Sequence, residues 1–394
     1  MFSGKKVMSI FIFTFVMIFS LSSVCLAAEG IKIKVDNTDI SSDVAPVVEN
    51  GHTLVPAAAI FKALGGKVTY DAQTRAVNIT GAGTNIQIVV DSKYPSVNSQ
   101  QKVLEVPAKI INGRTMVPLR FVAEAFGAKV DYNAATNYVI VKYFTDLTGT
   151  LKIGGSTTIQ PVAEACAAEL MDLNTNFSAT IAGTGSGDGV KGAGTGQYNI
   201  GNASRAVEDS EKAEYRDLVD FTIGKDAIAV AVNPANPVSA LNKQQVYDIF
   251  TGAVTNWADV GGNNAPIFVQ TREEGSGTLG AFEELAIDTM GDGAITATAA
   301  PHPSNGVVKE ALAQDENAIG FISLGYVDNT VKALKIEGIE ATTDNALDGS
   351  YPYVRPLTVC TKGQPGGLAA KFINFYTSPM GKEIMSAENY IPIP

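Results

Sequence analysis

Three runs of Gly, Ser and Thr carry most of the chemistry this 394-residue chain offers, each set between an extended stretch and a helical one. They read GGSTTIQPVAEACAAEL from Gly154, AGTGSGDGVKGA from Ala182 and TREEGSGTLGAFEELA from Thr271. The first turn of a helix presents unpaired backbone N–H groups that carry roughly half a positive charge. Glycine lets an oxyanion reach that backbone, and Ser or Thr hydroxyls add donors. Each loop alone is also ordinary capping and turn chemistry. Three together, with Arg272 heading the third, point to capture of phosphate, sulfate or carboxylate. Arginine adds what a helix end lacks, two parallel charge-assisted hydrogen bonds to one oxyanion.

Enzymatic patterns are weaker. Gly187-x-Gly189-x-x-Gly192 has the form of a dinucleotide fingerprint, but glycine continues at Gly194 and Gly196, where a helix should already be running. There is no phosphate loop ending in Gly-Lys-Ser or Gly-Lys-Thr and no Ser in a nucleophile elbow, and His302 has no evident nucleophile partner. His52 and His302 are the chain's two histidines, too few for an imidazole metal site, and Cys166 and Cys360 read as two buried thiols rather than a disulfide framework. No catalytic residue, metal or cofactor is expected.

The net charge of −11 argues against nucleic acid as a partner. An acidic protein binds an anion only through local dipoles and a placed cation. At the start of the chain, Lys5 and Lys6 precede an apolar run from Val7 to about Leu21 and then Cys25-Leu26-Ala27-Ala28. That is the layout of a secretory signal peptide, residues 1–27. Val24 precedes Cys25 where a lipoprotein signal carries Gly, Ala or Ser, so cleavage after Ala27 is expected, not a lipid anchor. The apolar run is short for a membrane span, and no stretch of about 18 apolar residues follows it. The product should be exported, extracellular or associated with the cell surface.

The elements that must position the loops begin near residue 148. From Leu151 onward strand–loop–helix alternation predicts an α/β fold with a largely parallel sheet. Upstream lies an internal repeat: VVENGHTLVPAAAIFKALGGKVTYDAQTRAVNIT from Val47 matches KIINGRTMVPLRFVAEAFGAKVDYNAATNYVIVK from Lys109. Each copy predicts an Asn-Gly turn, a short extended piece, a helix stopped by Gly65 or Gly127, and two alternating strands. The result is a small duplicated α+β unit over residues 30–144. Between the regions, Thr145-Asp146-Leu147-Thr148-Gly149 reads as a short polar join, so residues 148–394 are expected to fold and bind on their own.

The repeat resembles the copper amine oxidase N-terminal-like domain of bacterial surface proteins. Without enough histidines for copper, the resemblance implies a stalk or attachment module, and a cell-wall or surface partner and a plain spacer both remain open. Residues 151 to 394 carry GSTTIQPV, GTGSGDGV, IGNASRAV, VYDIFTGAVTNWADVGG, REEGSGT, PSNGVVKEAL, AIGFISLGY and YPYVRPL. In that order and spacing they resemble the phosphate-binding proteins of phosphate ABC importers. The resemblance implies a periplasmic-binding-protein type II fold, two α/β lobes closing on dehydrated inorganic phosphate, with an importer permease as a further partner. It implies Thr158, Ile159, Ser186, Arg272, Ser276, Gly277 and Thr278 as the phosphate ligands, with Ser304 and Asn305 as further candidates.

Where well-known members carry an Asp that accepts the ligand's proton, this chain has Ala203-Ser204-Arg205. Asp188, Glu273 or Glu274 could replace that acceptor, or Arg205 beside Ser204 could favour dianions. Two other readings remain: a surface adhesion or scaffold protein with a vestigial binding fold, and an extracellular phosphohydrolase.

Overall fold

Each copy of the repeat builds the same elements. The first has strands Val47–Glu49 and His52–Pro56, helix Ala57–Ala63, and strands Lys67–Asp71 and Ala76–Gly81. The second has Lys109–Ile111 and Arg114–Pro118, helix Leu119–Ala125, and Lys129–Asn133 and Tyr138–Lys142. Asn50-Gly51 and Asn112-Gly113 all take positive φ, between 48° and 80°, the conformation of a two-residue hairpin turn that suits the strand twist. The copies join through antiparallel pairing in which Val55 faces Val117. These are the same position in the two copies, so a local twofold axis passes between them, with both side chains fully buried. The computed structural model describes residues 30 to 393; the signal-peptide and Cys25 readings lie outside them. No helix among the described residues is long and apolar enough to cross a membrane.

The second region is organised by one long hydrogen-bonded ladder. Its strands run in the order Asn176–Gly183, Thr148–Gly155, Ile200–Ala203, Val354–Lys362, Leu218–Val232, Ala318–Ser323, Phe268–Arg272 and Ala300–His302. The apolar runs of the central strands, such as AIGFIS at Ala318–Ser323, are buried at every position, as expected of strands covered on both faces. The first three strands belong to one α/β lobe and the last three to another. The 15-residue strand Leu218–Val232 serves both, pairing antiparallel with Val354–Lys362 over its first part and with Ala318–Ser323 over its end. It and Val354–Lys362 are the crossing segments. Asp226 lies directly opposite Arg355 in that crossing, just beyond a register slip at Thr222 to Gly224. The second lobe has its own core around Phe250, Trp257, Phe282 and Phe321, the rings of Phe282 and Phe321 stacking at 4.1 Å. Cys166 and Cys360 are free and buried, and burial pushes both thiols up.

The short polar join expected at residues 145–149 is packed rather than solvated. The Asp36 carboxylate accepts hydrogen bonds from the N–H groups of Tyr143, Phe144 and Thr145 and from the Thr145 hydroxyl. Asn174 accepts from the Leu147 N–H at 2.8 Å and donates to the Phe144 carbonyl at 2.8 Å. With their backbone groups satisfied, Phe144 and Leu147 can be buried, and polar letters in the sequence do not make a solvated segment. An aromatic chain Phe61, Phe126, Tyr143, Phe144 and Phe375, with successive centroids 4.8–5.5 Å apart, then runs from the repeat into the first lobe. Asn374 ties the same contact, accepting from the Ala82 N–H at 2.7 Å and donating to the Tyr143 hydroxyl at 2.6 Å. The repeat and the first lobe therefore share one apolar core.

A chain truncated to begin at Thr148 should consequently melt well below the full chain. Uncovering Phe375 and its neighbours costs roughly 1.5–3 kcal/mol per apolar side chain. Equal melting temperatures in a thermal unfolding comparison would show that the shared core is not load sharing.

Candidate functional site

The three loops meet where the lobes face each other. Ser156, Thr157 and Thr158 lead, buried, into helix Gln160–Leu173, with Ile159 at its N-cap. Ser186 opens helix Ser186–Thr195 directly after Gly185, whose φ of 105° turns the chain into the helix. Ser276 caps helix Gly277–Phe282, its Oγ accepting from the N–H groups of Thr278 and Leu279 at 3.2 and 3.3 Å, and that helix runs on into a π-helical turn at Glu283–Asp288. Across the cleft Thr158 Oγ1 lies 3.2 Å from Thr278 Oγ1, and the Gly187 N–H donates to the Gly275 carbonyl at 3.0 Å. A β-carbon on Gly277 would collide with the hydroxyls of Ser186 and Ser204, so only glycine lets the second lobe close this far onto the first. Ser186 Oγ in turn accepts from the Ser204 N–H at 3.1 Å.

Two arginines enter this cluster. Arg272, 3% exposed, donates from Nε to the His302 carbonyl at 3.1 Å, and from one terminal nitrogen to the Pro303 carbonyl at 2.9 Å and the Thr157 hydroxyl at 3.3 Å. Arg355, 2% exposed, donates to Asp226 at 2.7 and 3.0 Å and to Thr158 Oγ1 at 3.0 Å. In each guanidinium the Nη1 is buried with no acceptor among the described residues. A buried donor without a partner is costly and calls for an acceptor. Burial pulls the Arg272 pKa down to about 10, and the like charge of Arg355 adds to the effect. Burial raises the Asp226 carboxyl, against which the Arg355 guanidinium and the Ser323 hydroxyl work. Two cations against one carboxylate leave the pocket with surplus positive charge in a protein whose overall charge is negative.

Asn305 closes a circuit beneath the loops. Fully buried at the start of helix Asn305–Gln314, it donates to Thr157 and Thr158 hydroxyls at 3.2 and 3.0 Å and accepts from the Ser323 N–H at 3.1 Å. The Ser323 hydroxyl donates to Asp226 at 2.9 Å. Thr158, Arg355, Asp226, Ser323 and Asn305 thus form one ring of hydrogen bonds through the first lobe, the crossing strands and the second lobe. The Tyr326 and Tyr390 hydroxyls fix the carbonyls of Thr157 and Thr158 at 2.7 and 2.6 Å. Ser304 is half-buried and caps its helix, accepting from the Val307 N–H at 3.2 Å.

The suggested replacements for the missing aspartate lie elsewhere. Asp188 is exposed; two residues beyond buried Ser186, it sits about 200° further round the helix and faces outward. Glu273 and Glu274 are exposed in the turn that ends at Gly275. Arg205 is bound bidentately by Glu211, both contacts at 2.8 Å, with Glu208 at 3.2 Å, so its charge is already engaged. Of the Ala203-Ser204-Arg205 stretch only Ser204 joins the cluster.

The sequence reading did not single out Arg355, Asp226, Ser323 or Thr157. A signal existed for two of them: Asp226 directly precedes the apolar run AIAVAV and Arg355 heads the strand VRPLTVCTK, and a charge buried in a sheet requires a partner.

A family model described as a PBP superfamily domain matches residues 145–380, and one for the copper amine oxidase N-terminal domain matches residues 34–141. The phosphate-binding protein PstS of Bacillus subtilis is 33% identical over 247 residues, covering 62% of this chain and 81% of that protein. PstS of Pseudomonas aeruginosa is 30% identical over 310 residues, covering 71% of this chain and 95% of its own length. Among solved structures, a phosphate ABC transporter substrate-binding protein from Clostridium perfringens with bound phosphate is similar, with a TM-score of 0.59 at 37% identity, over 62% of this chain and all of that one.

Proposed function

The chain belongs to the PBP superfamily, in its PstS-like branch, and from that premise we propose that it captures inorganic phosphate between its two lobes. The observation that carries this reading is the pair of buried, partnerless Nη1 groups of Arg272 and Arg355 beside the hydroxyls of Thr158, Ser186, Ser204 and Thr278. A tetrahedral oxyanion supplies the acceptors those donors lack. Thr158, Ile159, Ser186, Arg272, Ser276, Gly277 and Thr278 form the cage, joined by Arg355, and Asn305 holds Thr158 in place. The lobes hinge on the crossing strands, and closure strips water from the ion, so that fixed dipoles act in a low dielectric.

The chemistry is binding without turnover. Carboxylates near the cage are either exposed or, at Asp226, saturated, and His302 Nε2 is engaged by Gln270 at 2.8 Å, so no hydroxyl there has a general base. The chain is exported by its leader and delivers phosphate to an ABC importer permease, while the repeat, locked to the first lobe, offers the surface for a cell-wall or surface partner.

Selectivity tests this reading of the cage. With donors throughout and no carboxylate acceptor, the site lacks the repulsion that would exclude fully ionised sulfate. Labelled phosphate should saturate at one ion per chain, and sulfate should displace it at no more than about a hundredfold excess, a gap of about 2.7 kcal/mol. Phosphate undisturbed by a thousandfold excess of sulfate would mean that a proton acceptor does line the cage.

A further inference from the structure

A second place in the molecule gathers positive charge, lined by none of the cage residues, in the angle between the first copy of the repeat and the first lobe. A groove of about 850 Å³ opens there, within the size range of small-molecule sites. Its accessible apolar lining is Val68, Phe221 and Ile393, and Lys62, Lys67 and Lys382 stand along it. No Asp or Glu lines the groove. Among the described residues, none of the three lysines makes an ion pair, whereas Lys109, Lys142, Lys309 and Lys335 each pair with a carboxylate. Lys382 is pulled below the usual ammonium range, first by burial and then by the neighbouring charge of Lys62. Three cations held around one apolar wall without a counter-ion, in a chain of net charge −11, are complementary to an anion.

The shape limits what that anion is. An inorganic ion needs converging donors, as in the cage, but here the side-chain amide of Asn374 is already spent on Ala82 and Tyr143, and the Thr377 hydroxyl on the Gly65 carbonyl. What remains is a partly apolar groove, lined at its accessible face by Val68, Phe221 and Ile393, with a cationic margin. We propose that the groove between the repeat and the first lobe binds a single-chain anionic amphiphile, its aliphatic part against Val68, Phe221 and Ile393 and its charged head on Lys62, Lys67 and Lys382. Because the ligand touches both regions, it also strengthens their contact.

The test uses the full chain with the cage saturated by inorganic phosphate, which keeps the probe's head group out of that site and separates the two binding events. Calorimetric titration with octyl phosphate below its micelle concentration should show one saturable site per chain. Titration with octanol should show none, and octanoate should compete, since the charge and not the phosphate is recognised. Lys62→Gln combined with Lys382→Gln should weaken octyl phosphate at least tenfold, with inorganic phosphate binding and the melting temperature retained as evidence of an intact fold. Absence of saturable binding, equal binding of octanol, or unchanged affinity in the folded double variant overturns the proposal.

Discussion

Replacing Arg272 with alanine should lower phosphate affinity by two to three orders of magnitude, a loss of about 3–4 kcal/mol. The guanidinium stands at 3% exposure with its Nη1 unpaired, and in the proposed cage it would meet the ion with charge-assisted hydrogen bonds worth about 1.5–3 kcal/mol each. Lysine should restore only part of the loss, because it keeps the charge and lacks the planar fork. The ligand-free fold also uses this residue: Arg272 holds the carbonyls of His302 and Pro303. Losing those bonds destabilises, while removing a buried cation beside Arg355 relieves repulsion, so the net change in unfolding free energy should stay within about 2 kcal/mol. An Arg272→Ala protein that is folded and binds phosphate within a factor of about three of the parent would place the site elsewhere.

Arg355→Ala should be damaging in a different way, through the fold itself. Asp226 is fully buried and takes its charge balance from Arg355, so removing the arginine leaves a carboxylate in a dry crossing and should cost about 3–5 kcal/mol in urea unfolding at neutral pH. The carboxyl is already raised by burial, and without its partner it is raised further. An acid raised above its unfolded value contributes stability below the unfolded pKa and loses it as pH rises through the folded one. The deficit of the variant should therefore shrink as pH falls toward the ordinary carboxylate range. Combining Arg355→Met with Asp226→Asn should recover most of the stability and none of the phosphate affinity, which separates the structural part of the residue from its contact with the ion. A single-variant deficit below about 1 kcal/mol at neutral pH would mean that Asp226 is neutral in the folded protein.

What could be read from the sequence was local. The Asn-Gly turns and glycine stops of the repeat are fixed by backbone conformation, and the pattern at Val47 and at Lys109 gives the same elements in both copies. The Gly-Ser-Thr loops likewise state their own geometry, and the structure brings Thr158, Ser186, Gly277 and Thr278 together. Non-local partners were not legible. Arg355 and Asp226 are 129 residues apart and meet only because two crossing strands set them in register. The join at residues 145–149 misled for the same reason: the groups that satisfy it, Asp36 and Asn174, lie about a hundred residues before it and nearly thirty after it in sequence. Asp188 and Arg205 misled because direction decides their role, one pointing to solvent and the other held by Glu211.

A crystal structure of the protein grown with phosphate tests the central claim most directly. The account requires one tetrahedral anion between the lobes, with oxygens about 2.7–3.2 Å from both Arg272 Nη1 and Arg355 Nη1 and further contacts to Thr158, Ser186 and the Gly277–Thr278 backbone. Closed lobes with no anion between them, or an anion that leaves both Nη1 groups without an acceptor, would contradict it.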